Sequence, residues 1–139
     1  MRRFHLILGL LLFIAFVVTG RFMRVDFPDK EMIDQELRLL MRSRHIYILF
    51  ASLIHLCLGL YFVWGKQKLT RAFQIVGSAV LAASGLLLLG AFISETYYLH
   101  HFSEFSRRGI YLALAGVGVH VIAALADRTS AHRSDADIQ

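Results

Sequence analysis

The chain contains four apolar runs, each close to the length that a helix needs to cross a bilayer. A hydrocarbon core about 30 Å thick takes about 20 helical residues, and the runs cover residues 4–20, 45–64, 72–93 and 109–126. Hydrophobic residues make up 57% of the 139 residues, more than an ordinary soluble domain of this size carries. The sequence therefore predicts an all-α integral membrane protein, a four-helix up-down-up-down transmembrane bundle.

The segments between the runs are short, so we expect one transmembrane domain over residues 1–127. Residues 65–71 (GKQKLTR) join the second and third spans so tightly that these spans must be antiparallel neighbours. Apolar residues between 31 and 41 recur at helical spacing, which predicts an amphipathic helix that lies at the interface or leads directly into the second span. The polar residues 128–139 are typical of a mobile tail.

The first run follows Arg2 and Arg3 and also fits a secretory signal, with Val18 and Gly20 as small residues before a cleavage point. Because the run is long for a signal peptide, we expect a retained anchor. Basic residues are shared about equally between the two predicted sides of the membrane. The acid-free loop 65–71 nevertheless favours the cytoplasmic side for itself and for both termini.

Small residues recur every seven positions in the last two spans. Membrane helices approach closely where side chains are small, and a seven-residue period is typical of the seam of a left-handed bundle. The positions are Gly77, Ser84 and Ala91 in the third span, and Gly109, Gly116 and Ala123 in the fourth.

A histidine lies at the middle of the second span. At 1.5 Å per residue, His55 is about 16 Å beyond Arg44, and His120 is about 18 Å into the fourth span from the same side. The third span runs the other way and brings Ser84 to the same level. We therefore expect His55, His120 and Ser84 to share one layer near the midplane.

Three interpretations of this layer are open. The first is a buried polar layer, with Ser52 as a further member, that joins the helices by hydrogen bonds. The second is a haem b with His55 and His120 as axial ligands, although diagonal helices in a tight bundle leave little room for two imidazoles and an iron. The third is a proton or substrate pathway, because ionisable residues inside a membrane often mark one.

A second group of histidines is predicted at the other end of the bundle. His45, His100 and His101 could meet there, with Glu95 and Glu104 nearby. Imidazole and carboxylate suit zinc or copper, so this group is a candidate metal site. The alternative is an ordinary interfacial loop, because the spacing matches no fixed ligand motif.

Arg38, Arg42 and Arg44 form a candidate cationic patch at the start of the second span. Arg38, Arg42 and His45 lie at i, i+4 and i+7 on one helix face. Such a patch suits lipid phosphate, haem propionates or an acidic partner, and contact with lipid headgroups is the favoured interpretation.

Several chemistries lack their sequence signals. The chain has no phosphate-binding glycine loop, no Gly-x-Ser-x-Gly elbow and no Cys-x-x-Cys pair. The predicted spans contain no Asp or Glu, which weakens an ion-coupled transporter. The net charge of +5 comes from short segments between spans rather than from a basic stripe with aromatic residues, so a nucleic-acid partner is not expected. The sequence therefore favours a protein without catalysis of its own over an enzyme.

The sequence resembles uncharacterised small four-span bacterial inner-membrane proteins. The resemblance rests on residues 19–23 (TGRFM) and 42–61 (RSRHIYILFASLIHLCLGLY). It implies the four-span architecture and a bacterial inner membrane, and it implies no activity. We therefore expect an accessory or structural subunit that binds a membrane-protein partner or further copies of itself. The alternatives are a one-haem electron-transfer subunit and an oligomeric small-molecule or proton pathway.

Overall fold

The computed structural model describes residues 1–25, 35–97 and 104–136, and it is helical in all three ranges. Each helix contains a stretch long and apolar enough to cross a membrane. Helices suit that setting because they satisfy their own backbone hydrogen bonds where no water is present. The predicted all-α bundle of four long apolar helices is confirmed. In chain order the helices are α1 Arg2–Val25, α2 Gln35–Tyr61, α3 Lys68–Tyr97 and α4 Glu104–Ala136.

All four helices extend beyond the predicted spans, and α2 and α4 do so by the most. α2 begins at Gln35 rather than at residue 45, so the second half of the predicted amphipathic segment is continuous with the second span. Residues 26–34 lie outside the described residues. α4 continues to Ala136, so most of the segment that was predicted to be a mobile tail is helical.

The helices pack in sequential pairs. α1 packs along α2, α3 packs along α4, and α2 and α3 join the two pairs. The diagonal pairs, α1 with α3 and α2 with α4, touch only locally, and α1 and α4 do not pack together over the described ranges. The bundle is therefore closed on three sides and open along the edge between α1 and α4.

The predicted small-residue seam lies between α3 and α4 and is confirmed. A methyl group added to Gly116 would lie 3.1 Å from the Gly77 carbonyl oxygen, and one added to Gly77 would lie 3.2 Å from the Gly116 carbonyl oxygen. The Ser84 hydroxyl donates to the Gly109 carbonyl across the same seam at 2.7 Å. Small residues therefore bring the two backbones into close contact.

The α1–α2 pair packs through a reciprocal arrangement that was not predicted from the sequence. A methyl group on Gly9 would lie 2.9 Å from Leu56 Cγ, and one on Gly59 would lie 2.6 Å from Leu6 Cγ. Each helix thus inserts a leucine against a glycine of the other. The two contacts fix the register of α1 against α2.

The turn between α2 and α3 is held by side chains of the neighbouring helices. The Gly65 amide donates to Gln74 Oε1 at 3.0 Å, and Gln74 Nε2 donates to the Val63 carbonyl at 2.9 Å. The Lys66 amide donates to Asp127 Oδ1 of α4 at 2.8 Å. These bonds fix three helices relative to one another at this end of the bundle.

Candidate functional site

Four polar side chains, one from each helix, meet inside the bundle. They are His5 of α1, His55 of α2, Ser78 of α3 and His120 of α4, and we call them the histidine layer. His5 and Ser78 are 0% exposed and His55 is 1% exposed, whereas His120 is half-buried. Buried histidine rings are costly unless they are hydrogen-bonded, so the contacts of each ring determine what the layer can do.

His5 is the centre of the histidine layer. Its Nδ1 lies 2.8 Å from Nδ1 of His55, and its Nε2 lies 2.9 Å from the Ser78 hydroxyl oxygen. The His5 and His55 rings are stacked, with centroids 5.1 Å apart. Both nitrogens of one ring are therefore in contact with groups on other helices.

Three further contacts complete the set. The Ser78 hydroxyl lies 2.7 Å from the Gln74 carbonyl oxygen one turn earlier and 3.2 Å from Nε2 of His120. Nε2 of His55 lies 3.3 Å from the Leu81 carbonyl oxygen. The histidine layer thus contains five polar contacts that connect all four helices.

Neighbouring residues flank the histidine layer on both sides along the bundle. On the side of the α2–α3 turn, the Phe62 ring lies 6.0 Å from the rings of both His5 and His120, centroid to centroid. On the other side, the Ser52 hydroxyl donates to the Gly9 carbonyl at 2.9 Å and joins α1 to α2. Ser52 is therefore adjacent to the histidine layer but not hydrogen-bonded to it.

The structure brings His55 and His120 into one network, but it replaces their predicted neighbour. Ser84 was expected in the same layer, and its hydroxyl instead lies in the α3–α4 seam on the Gly109 carbonyl. Its place is taken by Ser78, six residues and so about 9 Å nearer the α2–α3 turn. The histidine layer is therefore displaced from the predicted midplane towards that turn.

His5 and Ser78 were missed by sequence reasoning. His5 lies close behind Arg2 and Arg3, where a polar residue is ordinary at the start of a span. The sequence nevertheless contained an indication of its role, because His5 lies within the apolar run 4–20 that forms the first helix. An imidazole in such a run needs a partner on another helix.

The geometry of the histidine layer does not fit a haem held by His55 and His120. Two axial imidazoles must face each other across the flat macrocycle and its iron. Here His5 contacts His55, and Ser78 contacts both His5 and His120, so these two residues link His55 to His120. The space that a macrocycle would need is filled by side chains of α1 and α3.

His45, from the candidate metal group, lies between α1 and α2. Its Nδ1 is 3.0 Å from the Thr19 hydroxyl oxygen, and its ring stacks on Phe16 with a centroid distance of 4.1 Å. His100 and His101 lie outside the described residues. Within the described part of the chain, no three His, Cys, Asp or Glu side chains are placed to hold one metal ion.

A buried ion pair lies towards the opposite end of the bundle, where the metal group was expected. Arg44 Nε lies 3.1 Å from Glu95 Oε2, and the two side chains are 4% and 6% exposed. Arg44 also donates to the Glu95 backbone carbonyl at 2.7 Å. The Glu95 carboxylate in turn accepts the Phe105 amide at 2.9 Å and the Ser106 hydroxyl at 2.8 Å, which caps the start of α4.

This ion pair corrects the predicted cationic patch. Arg44 was grouped with Arg38 and Arg42 as a surface for lipid phosphate, but its side chain is buried against Glu95. Arg42 is exposed and Arg38 is half-buried. Of the three predicted residues, only Arg38 and Arg42 therefore remain candidates for contact with lipid headgroups.

An apolar groove of about 460 Å³ runs between α2 and α4, and His120 forms part of its wall. It exists because the two helices touch only locally. His120 is thus the member of the histidine layer that lies nearest to the outside of the bundle. The remaining lining is apolar and comprises Phe50, Leu53, Ile54, Cys57, Leu58, Val117, Val121 and Ala124.

No family model matches the chain, and no significant match was found among curated proteins or solved structures.

Proposed function

We propose that this protein is an accessory or structural subunit of a bacterial inner-membrane assembly, without catalysis of its own. Its partner would dock on the outward face of α3. The observation that carries this proposal is that α3 has two stripes of small residues, and the helices of this chain occupy only one of them.

The occupied stripe is the seam of Gly77, Ser84 and Ala91 against α4. The second stripe, which we call the outer α3 stripe, consists of exposed positions on the opposite side of the helix. Two of its intervals are seven residues and one is four, which places all its members on one helix face. The outer α3 stripe comprises Ala72, Ala79, Ala83 and Gly90.

Gly90 supports an external occupant. Among the residues that the structure describes, a methyl group added there would meet nothing within 4 Å, and eight of the ten glycines have a neighbour within that distance. Gly118 of α4 is equally open, but the residues seven positions either side of it, Tyr111 and Leu125, are large. Glycine in a helix interior costs about 1 kcal/mol relative to alanine, and packing inside this chain does not offset that cost at Gly90. A second transmembrane helix approaching closely would offset it.

The α3–α4 seam indicates what kind of helix would fit. In that seam, α4 presents Gly109, Gly116 and Ala123 to α3 at the same seven-residue period. We therefore propose a partner with a transmembrane helix that carries small residues every seven positions. We further propose that both termini face the cytoplasm, because the acid-free basic loop 65–71 lies at their end of the bundle.

Neither alternative accounts for the outer α3 stripe. The one-haem alternative has little support, because His5 and Ser78 fill the space between the two histidines that would bind it. The proton-pathway alternative concerns the histidine layer and is compatible with an accessory role.

Site-specific crosslinking in native membranes tests the proposal. Cys57 is the one cysteine of the chain, so Cys57→Ser provides a background into which Ala83→Cys is introduced and labelled with a thiol-linked photocrosslinker. Ala115→Cys is the matched control, because Ala115 is exposed on α4 and lies outside the outer α3 stripe. We expect a crosslink to one distinct membrane protein from position 83 and none from position 115.

The other outcomes contradict parts of the proposal. Crosslinking from position 83 to a second copy of this chain would make the outer α3 stripe a homo-oligomer interface and overturn the accessory role. Equal labelling of lipid alone from positions 83 and 115 would overturn the docking surface itself.

A further inference from the structure

The five contacts of the histidine layer outnumber the hydrogens available to make them. Each contact needs one hydrogen between its two atoms. A neutral imidazole carries one N–H and a serine carries one O–H, so three neutral histidines and Ser78 supply four. One contact is therefore always without a hydrogen while the layer is neutral.

Two of the contacts end on backbone carbonyls, which can only accept. The Gln74 carbonyl takes the Ser78 hydrogen, and the Leu81 carbonyl takes the hydrogen on Nε2 of His55. With these two contacts made, the Ser78 oxygen can only accept from other groups. Nδ1 of His55 then carries no hydrogen, because a neutral ring has only one.

The remaining hydrogens belong to His5 and His120, and both point to the Ser78 oxygen. Nδ1 of His5 is then also bare, and it faces the bare Nδ1 of His55 at 2.8 Å. Two lone pairs at that distance repel each other. The missing hydrogen is the one that would lie between these two nitrogens.

Other neutral arrangements leave a different contact without a hydrogen, but one contact always lacks it. If Ser78 donates to Nε2 of His5 instead, His5 can donate from Nδ1 to His55, but the Gln74 carbonyl then faces a hydroxyl oxygen without a hydrogen at 2.7 Å. Only a fifth hydrogen satisfies all five contacts. That hydrogen converts the His5–His55 pair into an imidazole and an imidazolium that share it.

We propose that the histidine layer is a proton-binding site that takes up one exchangeable proton between Nδ1 of His5 and Nδ1 of His55. Uptake forms one N–H bond and breaks none, and it raises the charge of the layer by one. The proton comes from water, and no other reactant takes part. This site is independent of the outer α3 stripe and of any partner that docks there.

The surroundings set two opposing contributions to proton uptake. At the start of α1, the His5 amide donates to the Met1 carbonyl at 3.0 Å and the Arg2 guanidinium donates to the Leu60 carbonyl at 3.0 Å. The positive charges of the Met1 amino group and of Arg2 therefore lie on this side of the layer. α2, α3 and α4 face the layer with its own histidines, Ser78 and backbone carbonyls, and no described carboxylate contacts the rings. These positive charges and the cost of a buried charge oppose proton uptake, and the gain of the fifth hydrogen bond favours it. Occupancy of the site therefore falls as the pH rises.

Nitrogen NMR of the full-length protein tests this site. The histidine rings are labelled with ¹⁵N, the protein is placed in lipid nanodiscs, and ring nitrogen shifts are recorded from pH 8 to pH 4.5. We expect the Nδ1 signals of His5 and His55 to move together in one transition that corresponds to one proton per chain. His5→Phe should abolish that transition at His55.

His45→Phe is the matched control, because His45 contacts Thr19 and Phe16 and not the histidine layer. It should leave the shared transition of His5 and His55 unchanged. The proposal is overturned if the two Nδ1 signals of the folded wild-type protein stay fixed over this pH range, or if they shift in two independent transitions. The wild-type titration decides the matter even if His5→Phe fails to fold.

Discussion

The two buried polar clusters of this bundle differ in how their hydrogens match their contacts. Around Glu95, the Arg44 guanidinium, the Phe105 amide and the Ser106 amide and hydroxyl each bring a hydrogen of their own. In the histidine layer, four hydrogens serve five contacts. Each hydrogen bond of the first cluster has its own hydrogen, and Arg44 Nε contributes only an ion pair with Glu95 Oε2. The second cluster has a hydrogen for every contact only after it binds a proton.

The side chains explain this difference. Arginine has five N–H donors and keeps its proton in proteins, and an ionised carboxylate only accepts, so donors and acceptors around Glu95 cannot exchange roles. Histidine can donate or accept at either nitrogen, and its charge changes near physiological pH. A buried polar cluster can therefore be a fixed structural element or an exchangeable one, and the difference follows from residue type rather than from burial.

The largest expected effect is at the fixed cluster. Glu95→Ala leaves the Arg44 guanidinium buried without its carboxylate and removes the cap of α4, and we expect a loss of about 3–5 kcal/mol in the free energy of unfolding. Denaturant unfolding in detergent, followed by circular dichroism, measures it. Glu104→Ala is the control, because the Arg108–Glu104 pair is 63% and 56% exposed and should contribute less than about 0.5 kcal/mol. Equal small losses in both variants would show that the cluster around Glu95 is not the structural element described above.

A smaller effect is expected from the two buried serines of α3. Ser78→Ala leaves nitrogens of His5 and His120 without their partner and should cost about 1–3 kcal/mol. Ser84→Ala removes one bond to the Gly109 carbonyl and should cost about 0.6 kcal/mol, the average for hydrogen bonds between membrane helices.

A double-mutant cycle with His120→Phe sharpens this prediction. Ser78 and His120 should be coupled by at least about 0.5 kcal/mol, whereas Ser84 and His120 should be additive within about 0.3–0.5 kcal/mol. Coupling of His120 to Ser84 but not to Ser78 would show that Ser84, and not Ser78, belongs to the histidine layer.

Hydropathy and small-residue spacing predicted the fold well. The four helices follow from run length, and the α3–α4 seam follows from a seven-residue period of small side chains. These features are local to one helix or one hairpin. The α1–α2 contacts of Gly9 with Leu56 and Gly59 with Leu6 were not predicted, because no period in the sequence pairs those positions.

The candidate site was predicted only in part, and Ser84 shows why. Ser84 was assigned both to the α3–α4 seam and to the layer of His55 and His120, but one side chain points in only one direction from its helix. Ser78 is six residues away and lies about 120° around the helix from Ser84. Depth along a helix can be counted from the sequence, but helix rotation depends on packing against the other helices.

The Arg44–Glu95 pair was missed for a related reason. Both residues lie outside the apolar runs that were predicted to span the membrane, where charged side chains normally face water or headgroups. They are 51 positions apart, and only the packing of α2 against α3 brings them together.

The most direct measurement is the ¹⁵N–¹⁵N coupling across the contact between Nδ1 of His5 and Nδ1 of His55, recorded at the acidic end of the titration. A hydrogen shared by the two nitrogens transmits a scalar coupling between them, so the proposed proton site predicts a resolved coupling that disappears as the pH rises. Two acid-state nitrogens without any mutual coupling would contradict it, because the proton would then lie elsewhere in the histidine layer.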